Sequence, residues 1–236
     1  MVLMKFLKNQ PALKIDNYLV VADIHLGITK DIYDRGIIIP RQSDKLAKAI
    51  NKLKKITRTK KLVLLGDVKH KVSGFSFQEK AELERFFSLL DFKDIIIVKG
   101  NHDGHIEKMI PKEAKNKITV KKSFSIGTYY LTHGHRNAET KKNTIIIGHN
   151  QPHVKFRDDM GAIYVEPVWI IGKLNRKLKG KRLVVMPAFN NLCGATVVNK
   201  DELLGPIAKQ LDKKKAHVYI LDGTDIGTLV NLGYAK

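Results

Sequence analysis

Five short apolar runs that end abruptly in Asp, Gly or His constrain the fold of this chain more than any other feature. Each is rich in β-branched, aromatic or leucine residues: Tyr18–Ala22, Leu62–Leu65, Ile95–Val98, Tyr129–Thr132 and Thr144–Ile147. Short apolar runs bounded in this way predict strands with both faces covered. Two segments between them, Arg41–Ile56 and Phe77–Leu90, carry apolar residues at helical spacing. On the second helix we expect Glu79, Glu82 and Glu84 to face outward.

The order of these elements predicts an α/β sandwich. Strands and helices alternate through residues 18–110, which favours parallel neighbours. After about residue 113 the pattern is hairpin-like, with Ile118–Val120 and Ser123–Ile126 joined by Lys121 and Lys122. Later apolar segments predict more strands and one short helix: Ile163–Ile171, Leu183–Met186, Ala195–Val198, Val218–Leu221 and the helix near Pro206–Leu211. We predict two mixed β-sheets packed together with helices on their outer faces, a four-layer α-β-β-α arrangement, in one domain spanning residues 1–236.

Metal-type ligands cluster where these strands end. The stretches are Asp23-Ile24-His25, Gly66-Asp67, Gly100-Asn101-His102-Asp103, His133-Gly134-His135 and Gly148-His149, the last followed by Gln151. Eight of the nine histidines lie in or near these stretches, and only His217 stands well apart. Loops after neighbouring strands converge at one edge of an α/β sheet. Imidazole, carboxylate and amide ligands suit Mn²⁺, Fe²⁺ or Zn²⁺. The pattern therefore predicts a metal centre, in which Asp67 can bridge two cations.

Composition indicates a polyanionic partner. The chain has 43 Lys plus Arg against 23 Asp plus Glu, a formal net charge of +20. Lysines and arginines placed on phosphates release condensed counterions, so we expect nucleic-acid backbone contacts. Lysine-rich surfaces also occur in heat-stable proteins, which remains an alternative. Three basic groups are prominent: residues 52–61, residues 173–182 and Lys213–Lys215.

Cysteine usage and hydropathy predict a cytoplasmic protein. The single Cys193 allows no internal disulfide, which suits a reducing compartment. The apolar runs are far shorter than the roughly 20 residues needed to span a bilayer, so no membrane partner is expected.

The ordered ligand stretches resemble the calcineurin-like metallophosphoesterase superfamily over nearly the whole chain. Gly66-Asp67-Val68-Lys69-His70 and Ala22-Asp23-Ile24-His25-Leu26-Gly27 resemble its SbcD-related branch of DNA-repair nucleases, and most of all the compact archaeal phosphoesterases of that branch. The resemblance implies one metal held by Asp23, His25 and the bridging Asp67, and a second held by Asp67, Asn101, His133 and His149. It also implies that His102 acts at the scissile phosphate, with Asp103 orienting its ring.

The last motif departs from the family pattern, Gly-His-x-His, because Gln151 stands where the second histidine is expected. Either Gln151 ligates through its amide oxygen or His153 reaches back across Pro152; two-residue spacing favours Gln151. A neutral oxygen ligand favours Mn²⁺, with Fe, Zn, Ni and Co as alternatives. His70 and His135 are expected to support the ligands or contact substrate, whereas His105 is expected at the surface.

We therefore expect a two-metal phosphodiesterase or nuclease that acts on nucleic acid by in-line attack of a metal-bound hydroxide. DNA is the expected substrate, and a helicase or ATPase is a possible partner. Two alternatives stay open. One is a phosphodiesterase or phosphatase for small molecules such as cyclic nucleotides. The other is a non-catalytic, metal-stabilised scaffold that docks onto a repair or RNA-processing partner.

Overall fold

The computed structural model describes residues 2–74 and 76–232. The strands in these ranges are β1 (Met4–Phe6), β2 (Ala12–Ile15), β3 (Tyr18–Ala22), β4 (Lys61–Leu65), β5 (Asp94–Val98), β6 (Ile118–Lys121), β7 (Phe124–Ile126), β8 (Tyr129–Leu131), β9 (Thr144–Ile147), β10 (Pro152–Arg157), β11 (Ile163–Lys173), β12 (Arg182–Val185), β13 (Thr196–Val197), β14 (His217–Ile220) and β15 (Asp225–Thr228). The α-helices are α1 (Ile28–Asp34), α2 (Ser43–Thr57), α3 (Phe77–Leu89) and α4 (Gly205–Ala208). Short 3-10 helices cover Ile106–Lys108, Lys112–Lys117 and Arg176–Leu178.

The first sheet has the order β1-β2-β3-β4-β5-β6. Its strands β3 to β6 are parallel, while β1 and β2 form an antiparallel extension on the edge beside β3. The parallel part confirms the alternation predicted for residues 18–110. Because β3, β4 and β5 run in the same direction, the loops that follow them meet at one edge of the sheet.

The second sheet has the order β13-β10-β11-β12-β9-β8-β7, and β14 and β15 branch from β11. Strand β9 pairs parallel with β8 and β12. Strand β11 pairs antiparallel with β10, β12 and β14. The carboxyl ends of β8 and β9 carry His133 and His149 towards the same edge as the loops of the first sheet.

The two sheets pack face to face, and the alternation of side chains along β4 shows how. Val63 and Leu65 belong to a core shared with Ile146 and Val184 of the second sheet. Leu64, which lies between them, points to the opposite side of the sheet and joins the core under α2 and α3. Strands buried on both faces therefore read as continuous apolar runs, as the sequence indicates.

The sandwich prediction is confirmed, with a thin outer layer on the second sheet. Helices α2 and α3 cover the first sheet through residues such as Ile50 and Phe86. On the second sheet the helical cover includes the four-residue α4, whose Ile207 and Ala208 pack against that sheet's core. No helix in residues 2–74 and 76–232 is both long enough and apolar enough to cross a membrane.

Two local predictions are wrong. The segment after β6 is not a hairpin turn: β6 pairs with β5 in the first sheet and β7 pairs with β8 in the second, so Lys122 lies on a crossing between sheets. Glu79 and Glu82 do not face solvent but are 2% and 1% exposed. They are buried because their carboxylates accept hydrogen bonds from neighbouring loops and side chains, a tertiary arrangement that helical periodicity does not show.

Candidate metal centre

The predicted ligands come together at the edge where both sheets end. Asp23 directly follows β3, and its carboxylate accepts the backbone N–H of His149 at 3.1 Å from Oδ2. This hydrogen bond joins the first sheet to the second at the ligands themselves. Asp67 follows β4, and its Oδ1 accepts the backbone N–H of His102 at 2.9 Å. The loops after three strands of the first sheet and two of the second thus share one site.

Two groups of three ligands share the carboxylate of Asp67. The first is Asp23, His25 and Asp67, and the second is Asp67, His133 and His149; the ligand atoms within each group all lie within 4.8 Å of one another. Asp67 Oδ2 is 3.1 Å from His133 Nε2 and 3.7 Å from His25 Nε2. Because Oδ2 faces both histidines while Oδ1 accepts the backbone N–H of His102, the Asp67 carboxylate is placed to be shared by both ligand groups.

Each group also has a side-chain amide beside it. Asn101 Oδ1 lies 3.2 Å from His133 Nε2, and the Gln151 amide nitrogen lies 2.9 Å from His25 Nε2. Rotation of the Gln151 amide by 180° exchanges its nitrogen for its oxygen at nearly the same position. His153, by contrast, bonds through Nδ1 to the backbone carbonyl of Gln151 at 2.9 Å. Gln151 therefore contacts a candidate ligand directly, whereas His153 contacts the backbone of Gln151.

The backbone at the site is strained. Ten non-glycine residues in the described ranges have a positive φ, and five of them are candidate ligands: Asp23, His25, Asp67, His149 and Gln151. L-residues in this region cost roughly 1–3 kcal/mol each and persist only where the surrounding structure enforces them. Such concentration at one site is typical of a functional centre.

Two glycines leave room for the ligands. A Cβ added at Gly66 would lie 2.0 Å from His133 Nδ1, and one at Gly100 would lie 2.0 Å from Asp67 Oδ1. Gly66 also has φ +78°, which glycine adopts without a Cβ penalty. The glycines of Gly66-Asp67 and Gly100-Asn101 are therefore required by the close approach of neighbouring loops.

Burial controls the protonation of the histidine ligands. Burial lowers the pKa of His25 to about 3. Burial, together with the charge of His133, lowers the pKa of His149 to about 4. For His133, burial is outweighed by hydrogen bonding to Asp67 and by the charges of Asp23 and Asp67, so its pKa is raised. His25 and His149 are thus neutral near neutral pH and available as ligands, whereas a cation would replace a proton on His133.

Of the two buried carboxylates among the candidate ligands, Asp67 is compensated by His133, whereas Asp23 lacks full compensation from the protein alone. Burial raises the pKa of Asp23 above its ordinary value; the charge of His133 offsets this effect only in part, and the charge of Asp67 adds to it. Burial also opposes ionisation of Asp67, but hydrogen bonding and charge from His133 hold its pKa below its ordinary value. Buried carboxylates need a positive partner. A pair of divalent cations would supply that charge, so the donor set fits a two-metal site.

Asp103 does not orient the His102 ring, and that expectation is wrong. The fully buried Asp103 carboxylate accepts the backbone N–H groups of Val68 at 2.9 Å, Lys69 at 3.2 Å and Gly100 at 2.8 Å. It therefore ties the loop after Asp67 to the loop before Asn101. The His102 ring instead bonds through Nδ1 to the backbone carbonyl of His70.

The remaining histidines fall into two classes. The His70 ring lies beside His25, with ring centroids 5.3 Å apart, and the His135 ring lies 5.3 Å from that of His133. Burial lowers the pKa of His135 to about 4. His105 is exposed, as expected. His217 pairs with Asp225 on the β14–β15 hairpin, away from these loops.

Sequence reasoning missed several residues that hold the site. Lys69 is fully buried and donates through Nζ to the carbonyl of Lys71 and, at 3.3 Å, to that of Gly74. Glu79 Oε1 accepts the backbone N–H groups of His70 and Lys71 at 3.0 and 2.8 Å. Lysine and glutamate side chains are rarely fully buried unless they are paired, so neither residue type by itself indicates such a role. The segment from Ser76 to Glu79 matches the capping-box pattern that starts a helix. Nothing in that pattern indicates that Glu79 contacts His70.

The ligands open into a cavity of about 300 Å³ lined by His25, His102, His149, Thr196 and Leu204, among others. A larger cavity, about 400 Å³, lies on the second sheet between residues such as Phe156, Ile226 and Leu232. Its lining is mainly apolar and includes none of the candidate ligands. The smaller cavity is therefore the candidate site of the chemistry.

Comparisons with known proteins identify the class. The family model for calcineurin-like phosphoesterases matches residues 17–179, and the chain belongs to this family of metal-dependent phosphoesterases. The nuclease MPE of Pseudomonas putida has a similar crystal structure, with a TM-score of 0.59, 16% sequence identity, and coverage of 94% of this chain and 98% of that one. The E. coli phosphoesterase YfcE is more distant, with a TM-score of 0.40, 14% identity, and coverage of 89% of this chain and 96% of that one. No curated protein sequence matches the chain significantly.

Proposed function

We propose that this phosphoesterase uses two divalent cations to hydrolyse phosphodiester bonds of nucleic acid, with DNA as the first substrate to test. The observation that carries the proposal is the shared carboxylate: Asp67 belongs at once to the group with Asp23 and His25 and to the group with His133 and His149. A single-metal site would not need two ligand groups meeting at one carboxylate. When bound, two cations clamp a phosphate and lower the pKa of water to near neutrality.

The donor set supports a first metal position and a second metal position. The first would be formed by Asp23, His25, Asp67 and Gln151. The second would be formed by Asp67, Asn101, His133 and His149. Carboxylate and amide oxygens make up three of the four ligands at the first position and two of the four at the second, which favours Mn²⁺ over softer ions. Fe, Zn, Ni and Co are the alternatives to be compared.

Two further residues have distinct roles in the proposal. The Nδ1–H of His102 donates to the His70 carbonyl, which directs Nε2 towards the cavity and to 3.8 Å from Asp67 Oδ2. From there a protonated His102 can stabilise charge on a phosphoryl oxygen or give its proton to the leaving oxygen. Asp103 is a positioning residue, because it fixes the backbone on both sides of the ligands Asp67 and Asn101.

Charge supports a polynucleotide substrate. The net charge of +20 attracts polyanions. A third cavity, about 240 Å³, is lined by Arg176, Lys209 and Lys213 together with Glu202 and Leu203. Leu203 is followed directly by Leu204, which lines the metal cavity. Consecutive residues of one chain segment therefore line the basic cavity and the metal cavity.

Similarity to other proteins adds support. The similar fold of the P. putida nuclease favours a nuclease, and the motif that ends in His70 favours the SbcD-related branch, with a helicase or ATPase as a possible partner. The lone Cys193 suits a reducing cytoplasm.

A metal-swept activity screen tests this function. We expect Mn²⁺-dependent cleavage of DNA ends or single strands that is lost in Asn101→Ala. The double variant Lys209→Glu/Lys213→Glu should lower DNA cleavage and reduce its salt dependence, while hydrolysis of an aryl phosphodiester is retained. Lys112→Glu/Lys115→Glu, at exposed positions of a 3-10 helix outside the three basic groups, is the matched control. Turnover of aryl or cyclic phosphodiesters without cleavage of DNA or RNA would instead favour the small-molecule phosphodiesterase.

Replacing Gln151 tests the first metal position. Gln151→His should tighten Mn²⁺ binding, because imidazole is a stronger ligand than a neutral amide oxygen. Gln151→Ala should weaken it by about tenfold, equivalent to about 1.4 kcal/mol. Titration calorimetry of the metal-free protein measures both changes. His153→Ala serves as the control and should leave the affinity unchanged; weaker binding in His153→Ala, with no effect of Gln151→His, would assign the ligand to His153.

A further inference from the structure

The loops after β3 and β4 run side by side beyond the ends of their strands. His25 N donates to Asp67 O at 2.8 Å, Leu26 N donates to Val68 O at 2.8 Å, and His70 N donates to Leu26 O at 2.9 Å. Leu26 and Lys69 form an isolated parallel bridge. This extension of the parallel ladder sets the His25 and His70 rings next to each other.

The two rings are connected through their Nδ1 atoms. His70 Nδ1 lies 3.2 Å from His25 Nδ1. On its other side, His70 Nε2 lies 3.0 Å from Asp31 Oδ2. Asp31 lies in the first turn of α1, the short helix that begins directly after the His25 loop. A continuous path of hydrogen bonds therefore runs from Asp31 through His70 to His25.

If both histidine rings are neutral, these hydrogen bonds allow only one tautomer for each ring. A carboxylate accepts only, so His70 must donate its Nε2–H to Asp31. The Nδ1 of His70 is then an acceptor, and His25 must donate its Nδ1–H to it. His25 Nε2 is left with a free lone pair, and this is the atom that faces Asp67 Oδ2 at 3.7 Å and the Gln151 amide at 2.9 Å.

We propose that Asp31 is a positioning residue that acts through His70 to fix the tautomer and ring orientation of His25, so that His25 Nε2 is presented to the cation at the first metal position. The inference rests on the metal centre of the proposed function but not on its substrate. Asp31 reaches the ligand His25 only through His70, and it has no direct role at the reacting atoms.

The backbone of His70 is held independently of Asp31. Glu79 Oε1 accepts the N–H groups of His70 and Lys71, and Lys69 Nζ bonds the carbonyls of Lys71 and Gly74. Loss of the Asp31 carboxylate would therefore free the His70 ring without releasing its loop. Asp31 and His70 are partly exposed, with side chains 59% and 22% accessible, so their pairing adds little to folding stability. Its effect should appear in metal affinity.

Titration of the metal-free protein with Mn²⁺ provides the first test. Asp31→Ala should weaken binding at the first metal position by about tenfold, the lower end of the usual cost of removing a direct hydrogen-bond partner of a ligand histidine, because Asp31 acts on His25 only through His70. Binding at the second metal position should be unchanged. Asp31→Asn keeps an acceptor oxygen for His70 and should lose less. The control is Asp34→Ala, one turn later on α1, whose carboxylate pairs with Lys30 rather than with a histidine.

Nitrogen shifts of the histidine rings provide the second test. In ¹⁵N-histidine-labelled, metal-free protein, His25 should show a protonated Nδ1 and an unprotonated Nε2, with its signals assigned by their loss in His25→Asn. Asp31→Ala should mix the two tautomers, and Asp31→Asn should restore one. Unchanged Mn²⁺ affinity and unchanged His25 shifts in Asp31→Ala, or a wild-type His25 protonated at Nε2, would overturn the proposal. Neither test measures hydrolysis, so an inactive protein whose metal affinity depends on Asp31 would refute the proposed substrate and still support the role of Asp31.

Discussion

Asp67→Asn is expected to lower phosphodiester hydrolysis by about 1,000-fold, because several kcal/mol of charge stabilisation depend on the two cations and each 1.36 kcal/mol is a factor of ten. The substitution keeps the shape of the side chain and one acceptor oxygen for the backbone N–H of His102. It removes the negative charge that both ligand groups share. Mn²⁺ stoichiometry should fall at the same time, since neither position retains its common ligand.

Folding must be separated from chemistry in this variant. Asp67 is the buried partner of His133, and removing one member of a buried pair costs roughly 3–5 kcal/mol where the other stays charged. Circular dichroism and a thermal melt of the metal-free protein would show whether the fold survives. Asp34→Asn, the same chemical change on an exposed side chain of α1, is the matched control. A folded Asp67→Asn protein that binds two Mn²⁺ ions and retains more than a tenth of the wild-type rate would refute the shared-ligand assignment.

The edge that carries the site could be predicted from sequence because its determinants are local. Each of β3, β4 and β5 is an apolar run that ends at glycine or a charged residue, and parallel pairing then aligns the ends of the strands. The bounds of β3 and β9 agree with the apolar runs that predicted them, Tyr18–Ala22 and Thr144–Ile147. The glycines of the ligand motifs are also readable, since they precede ligands that approach a neighbouring loop.

The residues that support the site were not predictable because their partners are distant in sequence. Asp31 bonds a histidine 39 positions away, and Asp103 bonds backbone groups 34 and 35 positions away. Glu79 has the spacing of a solvent-facing helical residue, and only the approach of the His70 loop buries it. Periodicity describes one element at a time and contains no information about which loop will lie above a helix.

Spacing in the sequence also could not decide between Gln151 and His153 as the ligand. The two-residue spacing from His149 favours Gln151, but His153 shares the same strand face in an extended chain, so spacing does not exclude it. The structure separates them because Gln151 adopts φ 44° just before β10 begins at Pro152. Its side chain then turns towards His25, while His153 follows the strand and pairs opposite Pro167.

His102→Asn is expected to lower DNA cleavage by about 100- to 10,000-fold, the usual contribution of a positioned proton donor or acceptor. Metal binding should persist, because His102 is not a ligand at either proposed metal position; in the wild-type protein its Nδ1 bonds the His70 carbonyl and its Nε2 lies 3.8 Å from Asp67 Oδ2. The loss should depend on the leaving group. A DNA alkoxide needs a proton as it departs, whereas p-nitrophenolate is stable without one, so hydrolysis of bis(p-nitrophenyl) phosphate should decline much less.

Comparing the two substrates in parallel decides what His102 does. His105→Asn is the control: this histidine lies on the same loop, is exposed, and has φ 57°, a conformation that Asn tolerates. A large loss on DNA with a small loss on the aryl diester would identify His102 as the proton donor to the leaving oxygen. Equal losses on both substrates would mean that it stabilises charge on the phosphoryl group, since that charge develops whichever group leaves. Unchanged rates on both would remove His102 from the catalytic machinery and leave the cations with the whole of the chemistry.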